Sequence, residues 1–478
     1  MERWRLRLNP MARIDDTLTD RPALPGWTRV ADALTLVSAT TALIALVHPI
    51  RLAAVHLSIR HPARLIAIAI TIIAVRHVIV PSPTLVSEVR DLWRRLQTRW
   101  PAATTAVPVA LSTRVLVLLA GYFAVVSIGY PSGAPPAGAG RWWDLPERWD
   151  ATWYLDIAEH GYRWTDDVTR GQNLAFFPAY PLLVRAVSRV VHVPGTPADV
   201  ARAWTATMVS IALFAAATIY LYRLAAERMG RETATNAVLL VATYPFAIFY
   251  SAVYSEALFL LSVVAAWYHL ERDHPLLSGG WGLVAGLSRP NGCLLALPLA
   301  LAAWLYPRPR RWRRWSLLAS LTPIAGMLLY SAYGYWLTGH PFVWVELQRG
   351  AWFRTYQGLD QSVWIELRTL ADVGLLQYIS SWPFRMVNLV ATLFALAAIW
   401  PVTRRLGAPS GLFVALNTLA PLLNGGLMSM ARCTAVLFPV FIWLAIAARG
   451  NAFTLLAVCF GFGQAMAAVW FFTWRPLF

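Results

Sequence analysis

RVLVLLAGYFAVVSIGY, Arg114–Tyr130, is almost wholly apolar after its opening arginine. RWDATWYLDIAEHGY, Arg148–Tyr162, follows it and puts carboxylates, aromatics and a histidine into one short segment. The first stretch reads as a helix that crosses a bilayer. A hydrocarbon core of about 30 Å takes roughly 17–25 apolar residues, and backbone polar groups in lipid must be satisfied within their own segment. The second stretch reads as the place where the chain emerges into water. Polar groups gathered there usually serve a ligand or a reaction.

Working outward, the same apolar pattern recurs through the chain. It has 478 residues, 58% of them hydrophobic, and a mean hydropathy of +0.51. Spans are expected near Val30–Leu57, Leu65–Val80, Arg114–Tyr130, 201–222, 234–252, 254–270, 276–289, 291–306, 315–337, 380–400, 410–423, 432–448 and 452–472. That is an all-α polytopic membrane protein of about 13 transmembrane helices, whose first outside loop carries the chemistry. The alternation of a membrane barrel is absent. Residues 1–108 read as an N-terminal extension with two membrane helices and a basic amphipathic linker, Ser87–Trp100, closed by the Pro101–Pro108 stretch. Residues 109–478 read as the main module. Within it, Ala175–Val193 is broken by Pro178 and Pro181 and reads as a re-entrant or interfacial piece. MERWRLRLNPMAR is basic, but the first apolar run begins only near Val30, so that run is expected to stay as an anchor rather than be cleaved.

The net charge is +17, and every one of the 41 basic residues is an arginine. They cluster in short segments, Arg90–Arg99, Arg223–Arg231, Arg308–Arg314 and Arg404–Arg405. Such loops follow the positive-inside rule and mark the cytoplasmic side. They are too small and too separate to form a nucleic-acid surface. Alternating the spans places all four clusters on one side. Arg148–Asn173, Tyr254–Glu256, Arg289–Asn291, the loop 339–378 and Asn424–Arg432 then fall on the other. Cys293, Cys433 and Cys459 have no ligand spacing and read as packing residues.

On that outer side Asp150 has two readings. It could be the N-cap of a helix over Ala151–His160. It could also be a general base that stays ionised beside Arg148. Trp149, Trp153 and Tyr154 suit an interfacial belt or flat faces for a sugar ring. Asn173-Leu-Ala-Phe-Phe-Pro-Ala-Tyr-Pro, with Phe177 and Tyr180, is either a kinked apolar helix or a scaffold shaping a pocket. Glu256, after Tyr254 and Ser255, is costly at the edge of a span unless paired; a structural pair with Arg289 and a substrate role are equally open. Arg289, with Asn291, and Arg432 are isolated arginines against the charge trend, and a phosphate would explain them. His269, Asp273 and His274 read as a solvated turn. The sequence supports no metal site and no cofactor.

Five motifs in order resemble one family. They are Arg148-Trp-Asp-Ala…Ile157-Ala-Glu-His-Gly-Tyr162, Asn173-Leu-Ala-Phe-Phe-Pro-Ala-Tyr-Pro-Leu182, Tyr254-Ser-Glu-Ala-Leu-Phe259, Ser288-Arg-Pro-Asn-Gly292 and Met428-Ser-Met-Ala-Arg432…Phe438-Pro439. From Arg114 onward the chain is similar to the GT-C superfamily of membrane glycosyltransferases. Within it, the chain resembles the PIG-V mannosyltransferases and their bacterial relatives. The resemblance implies a GT-C-type fold and inverting transfer of mannose from polyprenyl-phosphate-mannose to a lipid-linked or glycolipid acceptor. It also implies Asp150 as base, Arg289 and Arg432 at the leaving phosphate, and Glu256 and His160 holding sugar hydroxyls or the loop. Where family members often carry tyrosine, this chain has Cys433. An arginine-only, alanine-rich composition fits a bacterial cytoplasmic membrane with the site facing outward. The competing class is a flippase or transporter of a lipid-linked sugar, which calls for polar residues along a path through the membrane.

Overall fold

The computed structural model describes residues 25–47, 50–52, 57–59, 62–135, 140–191, 195–307 and 309–477. The basic N-terminal stretch, the middle of PSGAPPAGAG and Arg308 lie outside them. The chain divides into two units, Met1–Arg99 and Trp100–Phe478.

In the first unit α1 (Gly26–Val47) and α2 (Pro62–Ile79) pack together. Between them Ile50–Leu52 (β1) and Leu57–Ile59 (β2) form an antiparallel pair in the register Ile50↔Ile59. The first apolar run therefore stops being helical at Val47 rather than at Leu57. Arg76 on α2 is fully buried and gives hydrogen bonds to Asp32 Oδ2 at 3.2 Å and the Pro83 carbonyl at 2.6 Å. The amphipathic α3 (Leu85–Arg99) buries none of its residues.

The second unit is helical throughout its described residues. Its order is α4 (Pro101–Ser127), α5 (Ala151–His160), α6 (Ala179–Val190), α7 (Ala198–Met229), α8 (Arg231–Thr243), α9 (Glu256–Glu271), α10 (Pro275–Ser288), α11 (Ala296–Leu305), α12 (Arg310–Ala319), α13 (Thr322–Thr338) and α14 (Val343–Gly350). Then come α15 (Ile365–Val373), α16 (Leu375–Ser381), α17 (Pro383–Leu406), α18 (Ala408–Leu423), α19 (Met430–Thr434), α20 (Phe438–Ala447) and α21 (Asn451–Phe472). The Pro101–Pro108 stretch forms the first turns of α4, at the start of the second unit. Pro101 occupies the first helical turn, where a proline has no hydrogen bond to lose.

Among the described residues five helical stretches are long and apolar enough to cross a membrane: α4, α7, α12–α13, α17 and α21. A sixth is broken, with Arg231–Thr243 and Pro245–Ser251 meeting at 79°. Pro290–Leu305, Ala408–Leu423 and Phe438–Ala447 are apolar but shorter. The sequence reading of about 13 spans includes these shorter and broken helices along with the long ones. The described part of Ala175–Val193 begins at the end of a 3-10 turn, Asn173–Ala175, and forms the amphipathic α6, with Pro178 at the cap and Pro181 in the first turn; His192 and Val193 lie outside the described residues.

α9 is the centre of the unit. Nearly all of its residues are buried, Trp267 among them. Other helices therefore cover it on all sides, which is one of the two settings an all-round apolar helix suits. Its sixteen residues rise about 24 Å. At the far end Glu271 pairs with Arg228, and Arg272 pairs with Glu227. Arg228 also donates to Tyr306 Oη at 3.0 Å. One arginine cluster and the approach to a second therefore meet at the end of α9 away from Glu256.

The break after α8 exposes carbonyls that a continuous helix would have used. Pro245 lacks an N–H and forces Tyr244 into an extended conformation (φ −53°, ψ 138°). The freed groups are met by two buried side chains. Arg114 on α4 donates to the Ala242 carbonyl at 2.7 Å and to that of Ala247. Gln464 on α21 donates to Ala242 at 2.9 Å and Tyr244 at 2.8 Å. The arginine that opens the first quoted span is thus a strut for a broken neighbour. Arg114→Met should lower stability by about 2–4 kcal/mol, because buried carbonyls would be left without donors. Thermal unfolding in detergent reads this as a lower Tm, and an unchanged Tm would contradict the strut role.

Candidate active site

The turn ahead of α5 is built from backbone groups that other helices leave over. The last carbonyls of α21 have no partners within their own helix. Arg148 Nε donates to the Phe472 carbonyl at 2.8 Å, and Trp149 Nε1 to that of Phe471 at 3.2 Å. A cation at a helix C-terminus also complements the helix dipole. The remaining Arg148 donors reach Asp144 O at 2.5 Å, Glu147 O at 2.9 Å and Tyr130 Oη at 2.8 Å. Burial lowers the Arg148 pKa from its ordinary value. Arg148 therefore caps α21 and clamps the loop, and it does not line the cavity described below.

Trp149 adopts φ +57°, a region that bulky residues enter only when the surroundings hold them there. The backbone N–H of Asp150 donates to Tyr254 Oη at 3.0 Å. Asp150 occupies the position before α5, yet its carboxylate makes no capping hydrogen bond. It turns away from the helix, and its Oδ2 accepts from Arg432 Nη1 at 2.7 Å. The side chain is 21% exposed. Of the two readings left open by the sequence, the cap is not made.

Behind this pair sits Glu256, fully buried at the start of α9. Its Oε1 accepts from Arg289 Nη1 at 2.5 Å and from Arg432 Nε. Oε2 has no partner among the described residues. The Glu256–Arg289 pair exists, and Arg432 joins it. The aromatic rings of Tyr254 and Phe249 face the Arg432 guanidinium at 4.5 and 5.4 Å. Ser429, three residues before Arg432, also has a positive φ, +61°, so strained backbone lies on both sides of the Asp150–Arg432 contact. Arg289 reaches its place because α10 ends at Ser288 and the chain doubles back through Pro290–Leu295. A Cβ at Gly292 would collide with the Ala285 carbonyl, which explains the glycine in Ser288-Arg-Pro-Asn-Gly292.

Asp150, Arg289 and Arg432 open into a cavity of about 540 Å³. Tyr154, Phe177 and Asn291 also line it. Tyr154 Oη meets Ser255 Oγ at 3.1 Å, and Asn291 donates to Asn417 Oδ1 on α18 at 2.9 Å. Trp153 stands in an aromatic wall, 5.9 Å from Phe176 and 5.9 Å from Trp352. Tyr180, Tyr254 and Glu256 are buried behind the lining; Tyr180 Oη contacts Ser210 Oγ at 2.8 Å. His160 faces outward with Asp156 Oδ1 at 3.0 Å. Asp156 also accepts from Asn173 Nδ2 at 2.7 Å, so His160 belongs to a network holding the loop. Trp149 packs on Trp474 at 5.3 Å, away from the cavity.

Sequence reasoning missed Trp344, Gln348, Trp352, Arg354 and Ser429, all in the cavity wall. Arg354 carried a usable signal: with Arg349 and Arg368 it is an arginine of the loop 339–378, on the side away from the basic clusters. Among the described residues no three His, Cys, Asp or Glu side chains converge as metal ligands would. A second cavity, about 430 Å³, lies among α17, α21 and the break after α8; no charged residue lines it.

Residues 137–299 match the family described as Mannosyltransferase (PIG-V). Over 164 residues the chain is 31% identical to GPI mannosyltransferase 2 of Drosophila pseudoobscura pseudoobscura, covering 32% of this chain and 35% of that one. Over 152 residues it is 33% identical to GPI alpha-1,6-mannosyltransferase 2 of Rattus norvegicus, covering 30% of this chain and 29% of that one. The matched part spans about a third of the length of these curated relatives. Among solved structures, the Archaeoglobus fulgidus oligosaccharyltransferase tethered to an acceptor peptide aligns with a TM-score of 0.39 and 15% identity, over 76% of this chain and 55% of that one. The PIG-V resemblance read from the motifs holds over the matched segment, which includes Asp150, Glu256 and Arg289. Arg432 and Arg354 lie beyond it, and geometry alone places them at the cavity.

Glu256→Gln should strip the charge that balances two arginines. A broken buried pair costs about 3–5 kcal/mol. The detergent Tm is expected to fall by more than for Asn291→Ala, and an equal or smaller fall would contradict the bridging role.

Proposed function

We propose that this membrane protein is a mannosyltransferase. It takes mannose from polyprenyl-phosphate-mannose and transfers it, with inversion, to a lipid-linked or glycolipid acceptor. The carrying observation is the charge pattern of the cavity: Asp150 is the one carboxylate among the described lining residues, and it stands among arginines. Transfer from a sugar phosphate needs that pattern. The leaving group departs as an anion, so no acid must protonate it. The acceptor hydroxyl must lose a proton, so one base is required. An acid–base pair, as in sugar hydrolysis, would show two open carboxylates.

The step follows. The acceptor oxygen attacks C1 of mannose from the face opposite the phosphate. The C1–O(phosphate) bond breaks, and its electron pair leaves on the phosphate oxygen. The hydroxyl proton passes to Asp150 Oδ and later to water. The Arg432 contact fixes the direction of Asp150, while Phe176 and Trp352 in the cavity wall, backed by Trp153, offer flat faces to the C–H side of the sugar.

The PIG-V match and the relatives' names support the mannosyl class. The apolar, buried α9, with no polar path along it, favours transfer over a flippase. The site faces away from the cytoplasm of a bacterial membrane in this reading, because two arginine clusters approach the opposite end of α9.

Asp150→Asn keeps the size and removes the base. Purified protein should stay folded, with a Tm that falls less than in Glu256→Gln because Asp150 is part-exposed, and show about 10²–10⁴-fold slower mannose transfer; activity within threefold of the parent would remove Asp150 from the role. For sidedness, Thr165 is an exposed loop position. In a chain without other cysteines, Thr165→Cys should react with an impermeant maleimide from outside intact cells. Reaction only after the cytoplasmic face is opened would reverse the orientation.

A further inference from the structure

We infer that Arg354 is the phosphate-binding cation of the cavity, taking the monophosphate of the polyprenyl carrier rather than leaving it to Arg289 and Arg432. The inference rests on the transferase reading above and names the residue that handles its leaving group.

The argument is one of charge. Arg289 and Arg432 look like phosphate ligands in the sequence, but both are already committed. Glu256 takes a hydrogen bond from each, and Asp150 takes another from Arg432. Two guanidiniums against two carboxylates leave that cluster neutral. An incoming phosphate there would meet as much repulsion as attraction. Arg354 differs. It lines the same cavity, half-buried, and forms no ion pair with any described residue. Its one side-chain hydrogen bond among them is to Ser429 Oγ, at 3.3 Å.

The guanidinium is also held in place. Its backbone N–H donates to Gln348 O at 2.9 Å. Gln357, three residues on, donates its backbone N–H to Leu423 O at 2.7 Å. The stem passes close over Gly425, where a Cβ would stand 3.4 Å from Arg354 Cγ. Burial lowers its pKa from the ordinary arginine value; Arg432 and Arg289 push the same way, while Cys433 and Asp150 oppose them. A half-buried, uncompensated cation is costly by itself. It becomes favourable when an anion fills the cavity, since a planar fork of N–H donors matches phosphate oxygens. Arg349 also lines the cavity, but it is exposed at the rim, where water screens it.

As the C1–O bond breaks, negative charge grows on the phosphate. The cavity wall then holds a neutral Asp150–Arg432–Glu256–Arg289 cluster and, beside it, a cation without a carboxylate partner among the described residues. The base is paired within the neutral cluster, and Arg354 is left to stabilise the charge that grows on the leaving phosphate.

The test is binding, without transfer. Full-length protein in detergent micelles is titrated with a polyprenyl monophosphate, with the matching polyprenol as neutral control and phosphatidylinositol as the phosphodiester source of the same oxygens. The parent should bind the monophosphate and not the alcohol. Arg354→Gln should weaken monophosphate binding by about tenfold or more and leave phosphatidylinositol binding unchanged. Arg354→Lys, which keeps the charge without the fork, should fall between. If the Gln variant unfolds by its Tm, the Lys variant carries the test, with a loss of at least about threefold expected. The assignment is overturned by a folded Gln variant that binds within threefold of the parent. It is also overturned by a parent that does not distinguish monophosphate from alcohol, or by a loss confined to phosphatidylinositol. Any of these leaves the Asp150 reading standing. Arg354-dependent phosphate binding by a parent that transfers no mannose would instead keep this assignment and remove the transferase.

Discussion

The guanidinium of Arg432 bridges Asp150 and Glu256, and the site depends on that bridge. Four charged side chains come from four places: the turn before α5, the start of α9, the end of α10 and the short α19. None of them is tolerable alone near a low-dielectric interior. Together they are neutral, and each fixes the next. Arg432 points Asp150 into the cavity, and Glu256 holds Arg432 and Arg289 from behind. Such a cluster adds little net stability relative to apolar packing, but it penalises any arrangement that separates its members. Its worth here is positional.

The same economy appears at the broken backbone around it. Where α21 ends, its carbonyls are taken by Arg148 and Trp149, which thereby set the turn that carries Asp150. Where Pro245 breaks the helix after α8, Arg114 and Gln464 collect the carbonyls, and the short segment that follows leads into Tyr254, Ser255 and Glu256. Membrane interiors forbid unsatisfied backbone groups, so every break must be answered by a side chain from elsewhere. Those answers bring distant parts of the chain to one end of α9. The charged cluster is placed where regular structure stops.

Much of this was legible in the sequence, for definite reasons. The helical class followed from apolar run lengths. The importance of Asp150, Glu256, Arg289 and Arg432 followed from ionisable groups standing beside apolar spans, where they need a reason. What could not be read was which partner each group takes. Arg148 and Asp150 are neighbours in sequence, so proximity suggested a pair. The turn sends them apart, Arg148 to α21 and Asp150 to Arg432. Helices somewhat shorter than a span, such as α9 and α18, looked like full spans because composition does not register where a helix starts and stops. Arg354 was overlooked because its loop has no motif, although the charge-trend argument used for Arg289 applied to it equally.

The central claim is a single displacement in which one open carboxylate serves as base. The most direct measurement is the anomeric configuration of the product. Donor carrying 13C at C1 of mannose is turned over once, and the one-bond C1–H1 coupling is read by NMR in donor and product. The account predicts opposite configurations and no mannose covalently attached to the protein. A product that keeps the donor configuration, or a mannosyl ester trapped on Asp150, would contradict it.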